Sequence, residues 1–166
     1  MNILVTGGAG YIGSHVIKQL LKNHQNRITV IDSFVTSFED TINTLKLFGK
    51  FEFINLDLND WSSIQDIFRN SNFDVVIHFA ASLLVGESVV NPLKYYINNT
   101  CNTAKLIDLC NQYSVNNFIF SSTAAVYGET DSDESLINES KKNNPISPYG
   151  SSKSFIEQIL KDNEYA

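Results

Sequence analysis

Cysteine is nearly missing from this 166-residue sequence, with only Cys101 and Cys110 present. They fall nine apart in one stretch of helical period, which at ~100° per residue sets them on opposite faces and ~13.5 Å apart along the axis. A disulfide needs a far closer approach, so two reduced, mostly buried thiols in a reducing compartment are expected. Long apolar runs are missing too. No stretch approaches the ~18 residues of a membrane span, and the chain enters a strand pattern at once, without a signal-type flank or cleavage site. A cytoplasmic setting and no membrane partner are expected. Positive charge is scarce: 12 basic residues stand against 18 acidic ones, a net charge of -6. That balance argues against a nucleic-acid partner. The two cysteines and the histidines His15, His24 and His78 show no metal-ligand spacing, so no metal is expected. Internal repeats and linkers are absent as well.

What is present is an ordinary globular composition, 43% hydrophobic and 18% charged, in a length that suits one domain with a real core. Short apolar runs rich in β-branched residues predict strands at Ile3 to Thr6, Ile28 to Asp32, Phe51 to Leu56, Val75 to Phe79 and Phe118 to Ser121. Helical periods fill the spaces: Tyr11 to Lys22, Phe38 to Phe48, Trp61 to Arg69, Leu93 to Tyr113 and Pro148 to Asp162. Alternating strands and helices predict an α/β doubly wound parallel sheet with right-handed crossovers. The polar segment from Gly128 to Ser147 fits a solvated loop, and it is also long enough to serve as a lid.

Gly7, Gly10 and Gly13 stand between the first strand and a helix that is expected to bury Ile12, Val16, Leu20, Ile17 and Leu21. At such a turn Gly7 permits the tight bend, Gly10 lets backbone N–H groups approach a pyrophosphate, and Gly13 lets the helix pack closely on the sheet. The motif alone is weak. It gains weight from Asp32, nineteen residues past Gly13 at the end of the second strand. A carboxylate there accepts from both adenosine ribose hydroxyls and repels a 2′-phosphate, which favours NAD over NADP. Asp57 after the third strand suits either an adenine contact or a plain turn. Ala80 and Ala81 suit either a cofactor lying on the backbone or small core packing.

The stretch "SPYGSSK" carries the chemistry. Tyr149 and Lys153 share one helix face. An unaided tyrosine, with a pKa of ~10, is a poor base at neutral pH; a nearby ammonium favours the phenolate. Ser121, Ser122 and Thr123 end the fifth strand, and a hydroxyl there can share the proton of a substrate alcohol.

In these segments the sequence resembles the extended short-chain dehydrogenase/reductases that act on nucleotide sugars. "TGGAGYIGSH", "HFAASLLVGESVVNPLKYYINN", "FIFSSTAAVYG" and "SPYGSSK" are most similar to the UDP-glucose 4-epimerase branch. The resemblance implies a Rossmann-like NAD-binding domain over residues 1–166, truncated after the catalytic helix, with the C-terminal substrate domain absent. It implies a catalytic triad of Thr123, Tyr149 and Lys153, and cofactor contacts at the three glycines and at Tyr11, Ile12, Asp32, Ser33, Asp57, Leu58, Phe79, Ala80, Ala81, Leu83, Asn98, Tyr149 and Lys153. At Leu83 some members place a lysine near the cofactor phosphates. Related dehydratases carry an Asp-Glu pair after the threonine, where this chain has Ala124 and Ala125. Elimination is thereby disfavoured. The implied substrate is a UDP-sugar, and a homodimer of the full-length form stays open. Two other readings remain: an NAD-binding module without its own turnover, and an epimerase of UDP-N-acetylglucosamine or UDP-glucuronate.

Overall fold

A computed structural model describes residues 1–129 and 136–163. Its five strands are β1 (Asn2–Thr6), β2 (Arg27–Asp32), β3 (Glu52–Asn55), β4 (Val75–His78) and β5 (Phe118–Phe120). All pair in parallel, in the order β3-β2-β1-β4-β5. Ile3, Leu4 and Val5 of the central strand are fully buried, since helices cover both faces of a parallel sheet. Strand alternation sends Ile3 and Val5 into one core with Ile17, Val30 and Ile42, and Leu4 into the other with Ile64, Phe68 and Leu106. The fold is Rossmann-like, as the sequence pattern predicts.

Packing divides the chain into two units, Met1–Ala81 with Leu106–Ser121, and Ser82–Lys105 with Ser122–Ala166. The first holds the sheet and helices α1 (Tyr11–Leu20), α2 (Glu39–Leu45) and α3 (Trp61–Arg69). The second holds α4 (Val85–Val90), α5 (Pro92–Tyr95), a π-helical turn (Tyr96–Cys101), a 3-10 turn (Ala124–Tyr127) and α7 (Pro148–Asn163). Helix α6 (Asn102–Gln112) follows the π turn. Helix α7 packs on α4, α5, the π turn and the 3-10 turn.

Three expectations need correction. The helix expected from Leu93 to Tyr113 is α5, the π turn and α6 in succession, preceded by the unexpected α4. The π turn accompanies two adjacent residues, Asn98 and Asn99, that both hydrogen-bond Ser82, a demand hydrophobic period does not report. In α1 the buried line runs through Gly13 and Ile17. Val16 and Leu20 flank that core, whereas Ile12, in the first turn, is 55% exposed. Cys101 is exposed at the end of the π turn, and only Cys110 is buried, its thiol pushed up to about 12 by burial. Of the segment from Gly128 to Ser147, residues 130–135 lie outside the described residues; most of the remainder is exposed, and Asn144 N donates to Val126 O at 2.8 Å. Among the described residues no helix is long and apolar enough to cross a membrane.

Candidate active site

In the first unit the glycine turn is shaped by backbone contact. Gly7 adopts φ +71°, and a Cβ there would lie 2.5 Å from Ala80 N and 2.8 Å from Phe79 C. Only glycine meets both demands. Gly13 presses on the turn itself, because its Cβ would stand 2.4 Å from Gly7 O. The close helix-to-sheet packing expected of Gly13 falls instead to Gly8, where a Cβ would meet Val30 Cγ1 at 2.4 Å and Ile17 Cδ1 at 2.7 Å. Gly10 is the N-cap of α1, and no side chain caps that end. The first amides of the helix, from Tyr11 and Ile12 onward, therefore present donors and the positive end of the helix dipole.

Asp32 ends β2 beside this turn. Its Oδ2 accepts from Ala9 N at 2.9 Å, and its Oδ1 accepts from Phe34 N at 2.9 Å and Ser37 Oγ at 2.7 Å. The carboxylate thus ties the glycine turn to the loop after β2, which begins at half-buried Ser33. Asp57 uses Oδ1 for Asn59 N and Asn59 Nδ2, at 2.8 and 2.7 Å, so its turn role is present. Leu58 is buried in the core, 8% exposed. Phe79 and Ala80 are partly buried against the two cores.

In the second unit Asn99 is 1% exposed and fully engaged. Its Oδ1 accepts from Ser82 N at 2.8 Å, and its Nδ2 donates to Ser82 O at 3.0 Å and Ser152 Oγ at 3.1 Å. Ser152 Oγ in turn donates to Tyr149 O at 2.7 Å, which fixes the first turn of α7. Asn98 Nδ2 donates to Ser82 Oγ at 3.1 Å. Leu83 is 55% exposed. Thr123 caps the 3-10 turn, its Oγ1 accepting from Ala125 N at 3.2 Å and keeping its own proton to give. That turn abuts α7 at Gly150, where a Cβ would come 2.6 Å from Ala125 O. Tyr149 is half-buried. Lys153, one turn on, is 3% exposed, and desolvation pushes its ammonium down to about 8.

A family profile described as GDP-mannose 4,6 dehydratase matches residues 4–166. The chain belongs to this family of nucleotide-sugar epimerases and dehydratases. A family relative, UDP-glucose 4-epimerase of Streptococcus mutans, is 43% identical over 162 residues, 97% of this chain and 46% of the relative. Among solved structures, the UDP-Glc/GlcNAc 4-epimerase of Campylobacter jejuni superposes with a TM-score of 0.93 at 45% identity, over 99% of this chain and 49% of its own. A UDP-glucose 4-epimerase of Bifidobacterium longum, crystallised with NAD+ and UDP, gives 0.92 at 35% identity, over 99% of this chain and 49% of its own. The chain spans less than half the length of such curated relatives.

Sequence reasoning picks out the family motifs but passes over Gly8, Gly150, Asn99 and Ser152. The two glycines stand in quoted motifs, so a packing question put to each would have found them. Asn99 and Ser152 meet across 53 positions, which no local pattern reports.

Proposed function

We propose that the protein carrying this chain is an NAD-dependent UDP-sugar 4-epimerase that interconverts UDP-glucose and UDP-galactose through a 4-keto sugar. The observation that carries the reading is Lys153, a nearly fully buried ammonium one turn from Tyr149 on α7. With its pKa of about 8 it stays mostly charged at neutral pH and sets a positive charge on the same helix face as Tyr149. Tyr149 then takes the proton of the sugar 4-hydroxyl as general base, and Thr123 hydrogen-bonds the same oxygen. After the sugar turns over, Tyr149 returns the proton. Bound NAD would take up and give back the hydride.

The first unit suits that cofactor. Uncapped amides at the start of α1 would face the pyrophosphate, and Asp32 the adenosine ribose. Ala124 and Ala125 follow Thr123, and neither can exchange a proton, which favours epimerisation over the dehydration in the family's description. The Campylobacter jejuni relative is named for both glucose and N-acetylglucosamine derivatives, so UDP-N-acetylglucosamine is the second substrate to assay. The same proposal includes a cytoplasmic setting, to which two free thiols are suited, and a homodimer of the full-length protein.

The test is conversion of UDP-galactose by the full-length protein. Tyr149→Phe should lower kcat by ~10² or more. Retention of most of the rate by that variant would remove Tyr149 from the chemistry. A protein that binds NAD yet turns over no UDP-sugar would favour the binding-module reading.

A further inference from the structure

The backbone of Tyr149 is held by Ser152, but its ring needs a wall of its own. Tyr95, at the end of α5, supplies one. It is fully buried, and its ring meets that of Tyr149 edge to face, with centroids 6.3 Å apart and planes at 84°. This lies within the range that aromatic pairs prefer. The Tyr95 ring cannot swing, because its hydroxyl is shared by Leu84 O and Glu87 Oε2, both at 2.7 Å. Glu87 is fixed in turn: its Oε1 accepts from Lys94 Nζ at 2.5 Å.

We propose that Tyr95 is a positioning residue for Tyr149, its anchored ring setting the orientation from which the Tyr149 oxygen meets the substrate hydroxyl. This rests on the reading of Tyr149 as base. Protonation states favour a rigid anchor. Burial, then the bond to Glu87, pushes the Tyr95 hydroxyl up to about 12, so it remains a donor at neutral pH. The bonds from Lys94 and Tyr95 hold the Glu87 carboxyl below its usual value, so it remains an ionised acceptor. A charge-assisted bond of this kind is stronger than a neutral one.

Simple core filling would be served equally well by phenylalanine, so Tyr95→Phe separates the two roles. Tyr95→Phe, Glu87→Gln and Tyr149→Phe are compared in the full-length protein, by UDP-galactose kinetics and by NMR of tyrosine labelled with 13C at Cζ. Tyr149→Phe assigns the Tyr149 signal. Tyr95→Phe and Glu87→Gln should each lower kcat several-fold, up to ~10-fold, and leave KM within about 2-fold, because misplacing a reacting group costs rate more than binding. The Tyr149 signal should shift or broaden in both. Unchanged kcat and an unchanged Tyr149 signal would overturn the proposal, as would loss confined to KM. If Tyr149→Phe itself keeps its activity, the base reading fails and the positioning role falls with it. An inactive Tyr149→Phe beside a fully active Tyr95→Phe removes the positioning role alone.

Discussion

Asp32 serves the protein before it serves a ligand. Ala9 N, Phe34 N and Ser37 Oγ all donate to its two oxygens. Each carboxylate oxygen accepts about two hydrogen bonds, so Oδ2 keeps room for a ribose hydroxyl. Replacing Asp32 by alanine should therefore have two effects. Stability should fall by roughly 1–3 kcal/mol, as Ala9 N and Phe34 N lose their acceptor. NADP binding should also gain on NAD, since the charge facing a 2′-phosphate is gone. Urea denaturation and calorimetric titration of both cofactors read these separately, and unchanged selectivity would place Asp32 away from the ribose. Lys153 makes a second residue-scale prediction. Its folded pKa of about 8 lies below the ordinary 10.5. The unfolded chain therefore binds more protons between those values, and stability rises with pH across that window. Below pH 8 the buried ammonium costs on the order of 3 kcal/mol. Measured against Lys153→Met, the unsubstituted protein should therefore gain stability as pH rises from about 8 towards 10. A stability difference that stays flat with pH would contradict this.

Among the elements, α7 carries the most. It bears Tyr149, Ser152 and Lys153, and it meets the 3-10 turn at Gly150. Glycine inside a helix ordinarily costs ~1 kcal/mol against alanine. Here the sign should reverse, because a Cβ would stand 2.6 Å from Ala125 O, a backbone atom. Gly150→Ala should destabilise by ~1–3 kcal/mol through overpacking. It should also lower kcat by shifting the first turn of α7, which bears Tyr149. A more stable variant with full activity would show that the turn yields freely. The sequence made most strands and helices legible, since each buries a face and hydrophobic period reports burial. Trp61–Arg69 falls where its pattern places it. The same reasoning explains the failures. A π turn differs from an α turn in its hydrogen-bond step, not in its polarity, so Tyr96–Cys101 read as ordinary helix. Helix α4 escaped because its Val89 and Val90 are exposed. In the candidate site, Gly7, Asp32, Tyr149 and Lys153 were legible because their spacing along the chain is the signal. Tyr95 was not, because its partners Glu87 and Tyr149 are brought together only by α4 and α7.

At the scale of the whole molecule, the first strand of the chain is the middle strand of the sheet. Ile3 pairs with Ile28, 25 residues on, and with Val75, 72 residues on. Closing the longer loop costs about 0.9 kcal/mol more in chain entropy, by the logarithmic dependence on loop length. The order of assembly follows. Strands β1 and β2, with β3 beside them, should form before β4 docks on the other edge of β1, and β5, which pairs only through β4, should join last. During that interval β1 exposes one unpaired apolar edge, which is the stage most open to aggregation. Pulse-labelled hydrogen exchange during refolding should show the amides of Val30 and Ile31 protected before those of Val76 and Ile77. Protection of all four in a single step, or of β4 ahead of β2, would rule this order out. A central first strand thus leaves β1, earliest of the five strands in the sequence, waiting for a second neighbour that lies 72 residues on.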